Sequence, residues 1–298
     1  MRDNRFVLAC DIGGTHITAA IVDTDHWIIL EDTITRQHVD SSSDAKSILQ
    51  NWTDCMRACI ASSKEEIREI GIAMPGPFDY EEGRALMIGQ TKYDSLYQMV
   101  VTQPIKDNLS GLPIQKISYI NDAAAFLQGE IFAQGLEHKD RILGITLGTG
   151  LGSAVWSKGE KAFDAALWEA PFRGTIFEEF LVTRWFTKRF EELTGIQKPG
   201  LKEILEQHGD LSETTTLLEE YVQHLLDFLA YFSEKHEAYN FIIGGNITKA
   251  WDKICIGKKA ALGAYNIELG KYQEHAAIIG AASLFNVPQS KAAVSKAR

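Results

Sequence analysis

Phe6-Val7-Leu8-Ala9-Cys10-Asp11-Ile12-Gly13-Gly14-Thr15 is the stretch on which the fold turns. A five-residue apolar run reads as a buried strand, and the glycine pair that ends it as a tight turn. Gly13 and Gly14 suit a backbone that takes positive φ and comes close to a phosphate, and Thr15 adds a hydroxyl donor. Asp11 would repel a phosphate directly, so its useful role is to hold Mg2+ beside the phosphates, directly or through water. Read alone, a plain hairpin with a solvated aspartate explains these residues equally well. A second such stretch follows the apolar run Ile142–Ile145: Thr146-Leu147-Gly148-Thr149-Gly150-Leu151-Gly152. Between the two lies Asn121-Asp122, just after Ile117-Ser118-Tyr119-Ile120. Two phosphate cradles and one carboxylate able to accept a proton are the parts needed to move a phosphoryl group.

The second glycine run superficially matches the dinucleotide-binding fingerprint, with Glu169 at a suitable distance downstream. That fingerprint needs a helix at the glycines, whereas Ser153-Ala154-Val155-Trp156 reads as a strand. Neither glycine run is a P-loop, because no Gly-Lys-Ser/Thr follows. Residues 11–23 and 146–157 thus share one pattern, a glycine turn running directly into a strand, which suggests two copies of one unit. Asp122 follows a strand and opens a helix, at the end of the sheet where open α/β folds place ligands. The bland alternative is an N-cap aspartate serving the Ala124 and Ala125 amides. Gly244-Gly245 after Phe241-Ile242-Ile243 is a further close-approach turn, suited to an adenine or ribose face or simply to a helix entry.

Around these motifs the pattern gives strands over Phe6–Cys10, Ile17–Val22, Trp27–Ile34, Ile70–Met74, Ile117–Ile120, Ile142–Leu147 and Ser153–Trp156. Helices are expected over 44–62, 123–133, 248–262 and 273–285, with a long one whose apolar stripe runs from Leu217 to Phe232. The chain has 298 residues, 45% hydrophobic and 23% charged, enough for two domains without a disulfide or metal staple. A formal net charge of −10 argues against nucleic-acid or anionic-membrane partners. The basic tail Lys291–Arg298 reads as a solvated end. The cysteines Cys10, Cys55, Cys59 and Cys255 form no CxxC pair and read as packing residues. No signal peptide or run of ~18 apolar residues is visible, so the expected location is cytoplasmic.

Taken together, Asp11-x-Gly-Gly-Thr15, Pro75-Gly76-Pro77, Asn121-Asp122-Ala123 through Gly129-Glu130, Leu147-Gly-Thr-Gly-Leu-Gly152, Ile243-Gly-Gly245 and Ile279-Gly-Ala-Ala282 resemble the ROK family of repressors, open reading frames and sugar kinases. The resemblance spans residues 6 to about 285, with the motifs in order. It implies an α/β, two-domain actin-like ATPase (ribonuclease H-like) fold with mixed sheets and an interdomain cleft. The domains are expected as 1–118 plus 276–298, and 119–275. It further implies ATP-dependent phosphorylation of a hexose or hexose derivative on the 6-hydroxyl, with ATP and Mg2+ as cofactors and a homodimer as the assembly. By position, Asp122 matches the catalytic base. Gly76, Asn121, Glu169 and Glu178 match sugar-contacting positions. Asp11, Gly13, Gly14 and Thr15 match the first phosphate loop, Gly148, Thr149 and Gly150 the second, and Gly244 and Gly245 the adenosine side.

Two departures stand out. The family's Glu-x-Gly-His motif reads Glu169-Ala170-Pro171-Phe172 here, and its cysteine-rich zinc loop is missing between Phe172 and Glu178. The resemblance then implies no zinc site and a sugar subsite drier around C1 and C2. Phe172 or Trp168 could stack on the sugar there, or pack in the core. A catalytically weak sugar sensor is the alternative these losses leave open. The repressor branch's helix-turn-helix has no room before residue 6, so a DNA-binding role is not expected.

Overall fold

The computed structural model describes residues 5–89 and 92–286. The expected solvated tail Lys291–Arg298 therefore lies outside the described residues. Strands are β1 Phe6–Ile12, β2 His16–Asp23, β3 Ile28–Ile29, β4 Thr35–His38, β5 Glu69–Met74, β6 Phe78–Asp79, β7 Arg84–Ala85, β8 Lys116–Asn121, β9 Arg141–Leu147, β10 Leu151–Ser157, β11 Phe163–Asp164, β12 Pro171–Phe172, β13 Thr175–Ile176, β14 Asn240–Gly244 and β15 Asn266–Leu269. Helices are α1 Ala45–Ala61, α2 Thr102–Asn108, α3 Asp122–Gln134, α4 Glu178–Leu181, α5 Thr183–Thr194, α6 Leu201–His208, α7 Ser212–His236, α8 Trp251–Ile254, α9 Lys259–Leu262 and α10 Glu274–Ala282. They form two units, one of residues 1–140, 156–163 and 274–298, the other of 141–155 and 164–273.

In the first unit a mixed sheet has the order β3-β2-β1-β5-β8, with β4 also paired to β2. β1 runs antiparallel to β2 and parallel to β5, and β5 runs parallel to β8. The β1 and β5 runs are apolar on both faces because helices cover both, as parallel strands require. On one face α1 buries Ile48, Leu49, Trp52, Cys55, Met56 and Cys59, and Asp44 caps it by accepting from the Ser47 N–H at 3.0 Å. On the other, α3 and α10 pack with almost no side chain between them. A Cβ on Gly280 would lie 1.9 Å from the Ala125 carbonyl oxygen, and one on Gly129 would lie 1.8 Å from that of Ala276.

That close packing moves the domain boundary. The sequence expectation ended the first domain at residue 118, but the first unit runs on to Asp140, since α3 pairs with α10 and cannot leave it. The expected strand Trp27–Ile34 is also broken. Trp27 has a φ of 56°, and a 3-10 turn spans Glu31–Thr33, so of that stretch only β3 is a strand, and β4 begins just after it.

In the second unit the order is β11-β10-β9-β14-β15, with β14 parallel to both β9 and β15. β9 and β10 are joined by the turn at 148–150, as β1 and β2 are by the turn at 13–15, so the expected internal similarity holds at the level of topology. The α7 stripe of Leu217, Tyr221, Leu225, Phe228, Leu229 and Phe232 is fully buried in this unit's core. It is therefore spent on packing this unit's core. The expected helix over 248–262 is broken into a 3-10 turn, α8 and α9, with Gly257 at a φ of +76° between the last two. The short strand β15 was not visible in the pattern, because Asn266 and Glu268 interrupt its only apolar residues.

Candidate active site

In the first unit the parallel strands β1, β5 and β8 end at one level. Register pairs Asp11 with Ala73, and Ala73 with Ile120, so Asp11, the turn after Met74 and the Asn121-Asp122 pair share one edge of the sheet. This is the carboxyl edge, where open α/β sheets hold ligands.

The Asn121-Asp122 pair divides its work. Asn121 is the N-cap of α3, its side-chain oxygen accepting from the Ala123 and Ala124 amides at 2.9 and 3.1 Å. The sequence alternative gave capping to Asp122, but the structure gives it to Asn121. Asp122 is the first helical residue, with one carboxylate oxygen accepting from the Ala123 N–H at 2.8 Å. Its side chain is reached by solvent yet hemmed in by protein, and the resulting loss of hydration raises its pKa. The Ala123 N–H and the charge of Lys92 act in the opposite direction. Asp11 is shifted in the same direction. Burial, with the charge of Asp122 adding to it, lifts its carboxyl to about 7, against an opposing pull from Arg36.

The expected glycine conformations are corrected here. Neither Gly13 nor Gly14 has positive φ. The Gly13 N–H donates to the His16 carbonyl at 2.9 Å, closing the turn on itself. What glycine provides at these positions is the missing Cβ. Thr15 is exposed, with its hydroxyl 3.0 Å from His16 Nδ1.

Gly76 lies beside Tyr80, whose hydroxyl donates to the Met74 carbonyl at 3.1 Å and accepts from Asn121 Nδ2 at 3.3 Å. A Cβ on Gly76 would meet that hydroxyl at 3.4 Å. Tyr80 thus ties the Gly76 turn to Asn121. Sequence reading missed it, and also missed Tyr93, whose hydroxyl donates to the Gly13 carbonyl at 2.5 Å. Neither tyrosine sits in a motif, and only the folded chain brings them to the edge.

In the second unit the two glycine motifs meet. Gly245 has a φ of +95°, and a Cβ there would lie 2.3 Å from the Leu147 carbonyl oxygen, so only glycine fits. Gly244 pairs with Thr146 across β14 and β9. The 148–150 turn is pinned from below. Both the amide and the hydroxyl of Thr183 donate to the Gly148 carbonyl, at 2.8 and 2.9 Å. Glu178 accepts from the Leu151 N–H at 3.0 Å and from Arg184 at 3.1 Å. A Cβ on Gly148 would meet nothing within 4 Å, so its outer face is open to a ligand. Thr149 stands at the tip of this turn.

Glu169 is exposed at the end of the 3-10 turn Leu167–Glu169. Phe172 is stacked on Phe177 at 4.3 Å between ring centroids and meets Phe180 and His224 edge-on. Of the two roles considered for Phe172, the packed one is realised. Trp168 keeps 40% of its surface exposed.

Against known proteins, the model of the ROK family matches residues 7–163, more than half of the chain. The chain belongs to the ROK family. It is 29% identical over 154 residues to the glucokinase of Thermotoga maritima, covering 51% of this chain and 45% of that protein. It is 28% identical over 153 residues to the N-acetylmannosamine kinase of Salmonella agona, covering 51% and 48%. The chain thus spans about half the length of the curated relatives it matches. A candidate sugar kinase from Cytophaga hutchinsonii superposes with a TM-score of 0.78 at 17% identity, over 94% of this chain and 99% of that one. The α/β fold with its mixed sheets is the actin-like ATPase fold of these structures, as the sequence led one to expect. Among the described residues, no helix is long and apolar enough to cross a membrane.

Proposed function

We propose that this ROK protein is an ATP-dependent sugar kinase in which Asp122 is the general base. The observation that carries the reading is the shared sheet edge of the first unit, where Asp11, the Gly76 turn and Asp122 stand on neighbouring strand ends. Asp122 takes the proton of a sugar hydroxyl as that oxygen attacks the terminal phosphorus of ATP, and ADP leaves. A base works best with a pKa drawn toward neutrality, and burial moves Asp122 in that direction. Because Asn121 carries the helix cap, Asp122 can give up its interaction with the Ala123 amide without unravelling α3.

Asp11 fits a divalent cation. Its carboxyl is held up at about 7 by burial first and by the charge of Asp122 second, more than Arg36 offsets, and a cation would relieve both. Magnesium, when bound with the nucleotide, would be held by Asp11 directly or through water and would offset charge on the phosphates. The 148–150 turn and the Gly244-Gly245 turn serve the nucleotide, with the open face of Gly148 admitting a phosphate.

The named relatives favour a hexose or an N-acetylhexosamine as acceptor, and the 6-hydroxyl is the position proposed for transfer. Glu178 shapes the second glycine turn through Leu151 in addition to any sugar contact, and Glu169 is free to meet a sugar. A homodimer is part of the same proposal. The reading is tested by following ADP release with glucose, mannose, N-acetylglucosamine and N-acetylmannosamine in turn. Sugar-dependent turnover with one of them supports it. Calorimetric sugar binding with no turnover would instead favour a sensor.

A further inference from the structure

We infer that Lys92 is a catalytic cation of the phosphoryl-transfer site, standing between the first glycine turn and the base. The inference rests on the sugar-kinase reading above and adds a residue that no motif marked.

Three observations carry it. The aliphatic stem of Lys92 lies over the glycine turn, with its Cδ 3.6 Å from where a Cβ on Gly14 would stand. That spacing is van der Waals contact, so the stem is laid directly against the turn. The ammonium, two bonds beyond that Cδ, is close enough to Asp122 for its charge to act on the carboxylate. The backbone that presents Lys92 is fixed by its neighbour. Tyr93 sits in the left-handed region at a φ of 60°, is fully buried, and is edge-on to Trp52 at 5.4 Å between ring centroids. Its hydroxyl donates to Gly13 and its amide donates to the Ser41 carbonyl at 2.7 Å. A bulky residue held at positive φ is a strained arrangement, of the kind found where a neighbouring group has to be aimed.

A solvated surface lysine is the plain alternative. It would not need its stem against the phosphate turn, nor a buried tyrosine wired to that same turn one residue later. In the transfer step the sugar oxygen–phosphorus bond forms, the bond from phosphorus to the bridging oxygen of ADP breaks, and the proton goes to Asp122. Lys92 keeps its own protons throughout. It meets the negative charge shared by the three outer phosphoryl oxygens, which a preorganised cation stabilises more in the transition state than in the bound substrate.

The test compares wild type, Lys92→Met and Lys92→Arg with the preferred sugar, recording kcat, both KM values, and Tm. Loss of one such charge typically costs about 100- to 1,000-fold in rate. The expected result for Lys92→Met is a kcat loss of that size, with sugar KM within about threefold of wild type and Tm unchanged, and a partial recovery in Lys92→Arg. Active wild type alongside a Lys92→Met kcat within threefold would overturn this inference and leave the kinase reading intact. Equal losses in both variants together with a lowered Tm would mark a structural role and also overturn it. A wild type that turns over no sugar would overturn the kinase reading, and Lys92 with it.

Discussion

Replacing Gly280 with alanine is the sharpest test of how the base is carried. The new methyl would stand 1.9 Å from the Ala125 carbonyl oxygen, 2.6 Å from its carbonyl carbon and 2.9 Å from its Cα. Real Cβ contacts stay above 3.0 Å, so α3 and α10 must part by about the 1.1 Å that separates 1.9 from 3.0. The obstacle is backbone, which has no rotamer to give. Helix propensity alone favours the change by about 1 kcal/mol. Against that, overpacking costs about 1–3 kcal/mol, and a gap near 1 Å along the rest of the seam forfeits a quarter to a half of its dispersion attraction. Overpacking wins, and the net loss is about 2 kcal/mol, or a fall of about 4–8 °C in the melting temperature of the first unit. Because α3 begins at Asp122, kcat should fall as well, even below the transition. The assay is thermal unfolding with the Trp52 environment as probe, alongside steady-state turnover at 25 °C. A Gly280→Ala protein as stable as wild type would refute the close crossing of these two helices.

Other outcomes follow from the same structure. Gly148→Ala should leave the melting temperature unchanged, since its methyl meets nothing within 4 Å, but should raise the KM for ATP about tenfold or more by filling the phosphate seat. Tyr80→Phe removes the bridge between the Met74 carbonyl and Asn121, so sugar KM should rise about tenfold, the equivalent of one hydrogen bond, with little change in stability. His224, buried among Phe172, Phe180 and Trp185, has its pKa lowered to about 4 by burial and then by Arg173. A depressed folded value means that the neutral ring's contribution is fully present above the ordinary value of 6.5 and is lost as pH falls from there toward 4. The stability lost between pH 7 and pH 4.5 should therefore be greater in wild type than in His224→Phe by an amount on the order of 3 kcal/mol, other titrating groups such as Asp11 cancelling in the comparison. An unchanged pH difference in that variant would show that the ring titrates normally.

Much of the site was legible because its residues lie where the chain must turn sharply at strand ends. The Asp11 to Thr15 turn and the 148–150 turn announced themselves through glycine after an apolar run, and the two copies of that pattern gave the repeated topology. Asp122 could be placed at a strand end, but not separated from a capping role, because Asn and Asp cap equally well. Only coordinates assign the cap to Asn121. Tyr80, Lys92 and Tyr93 were invisible for a different reason. Their roles depend on contacts such as Tyr93 to Gly13, 80 residues apart in the chain, which no local pattern encodes. The domain boundary failed for the same reason. Gly129 and Gly280 are ordinary glycines in sequence, and only their close approach keeps α3 in the first unit. Phe172 read as a candidate sugar platform because it stands at a family histidine position, yet its ring is taken up by Phe177 and Phe180.

The most direct measurement is a comparison of wild type with Asp122→Asn, an isostere that keeps the Ala123 contact but cannot take a proton. With the preferred sugar and saturating ATP, kcat should fall by at least about 100-fold, while sugar binding measured calorimetrically stays within about threefold of wild type. Turnover by Asp122→Asn at the wild-type rate would contradict the assignment of the base and the placement of chemistry at this edge of the sheet.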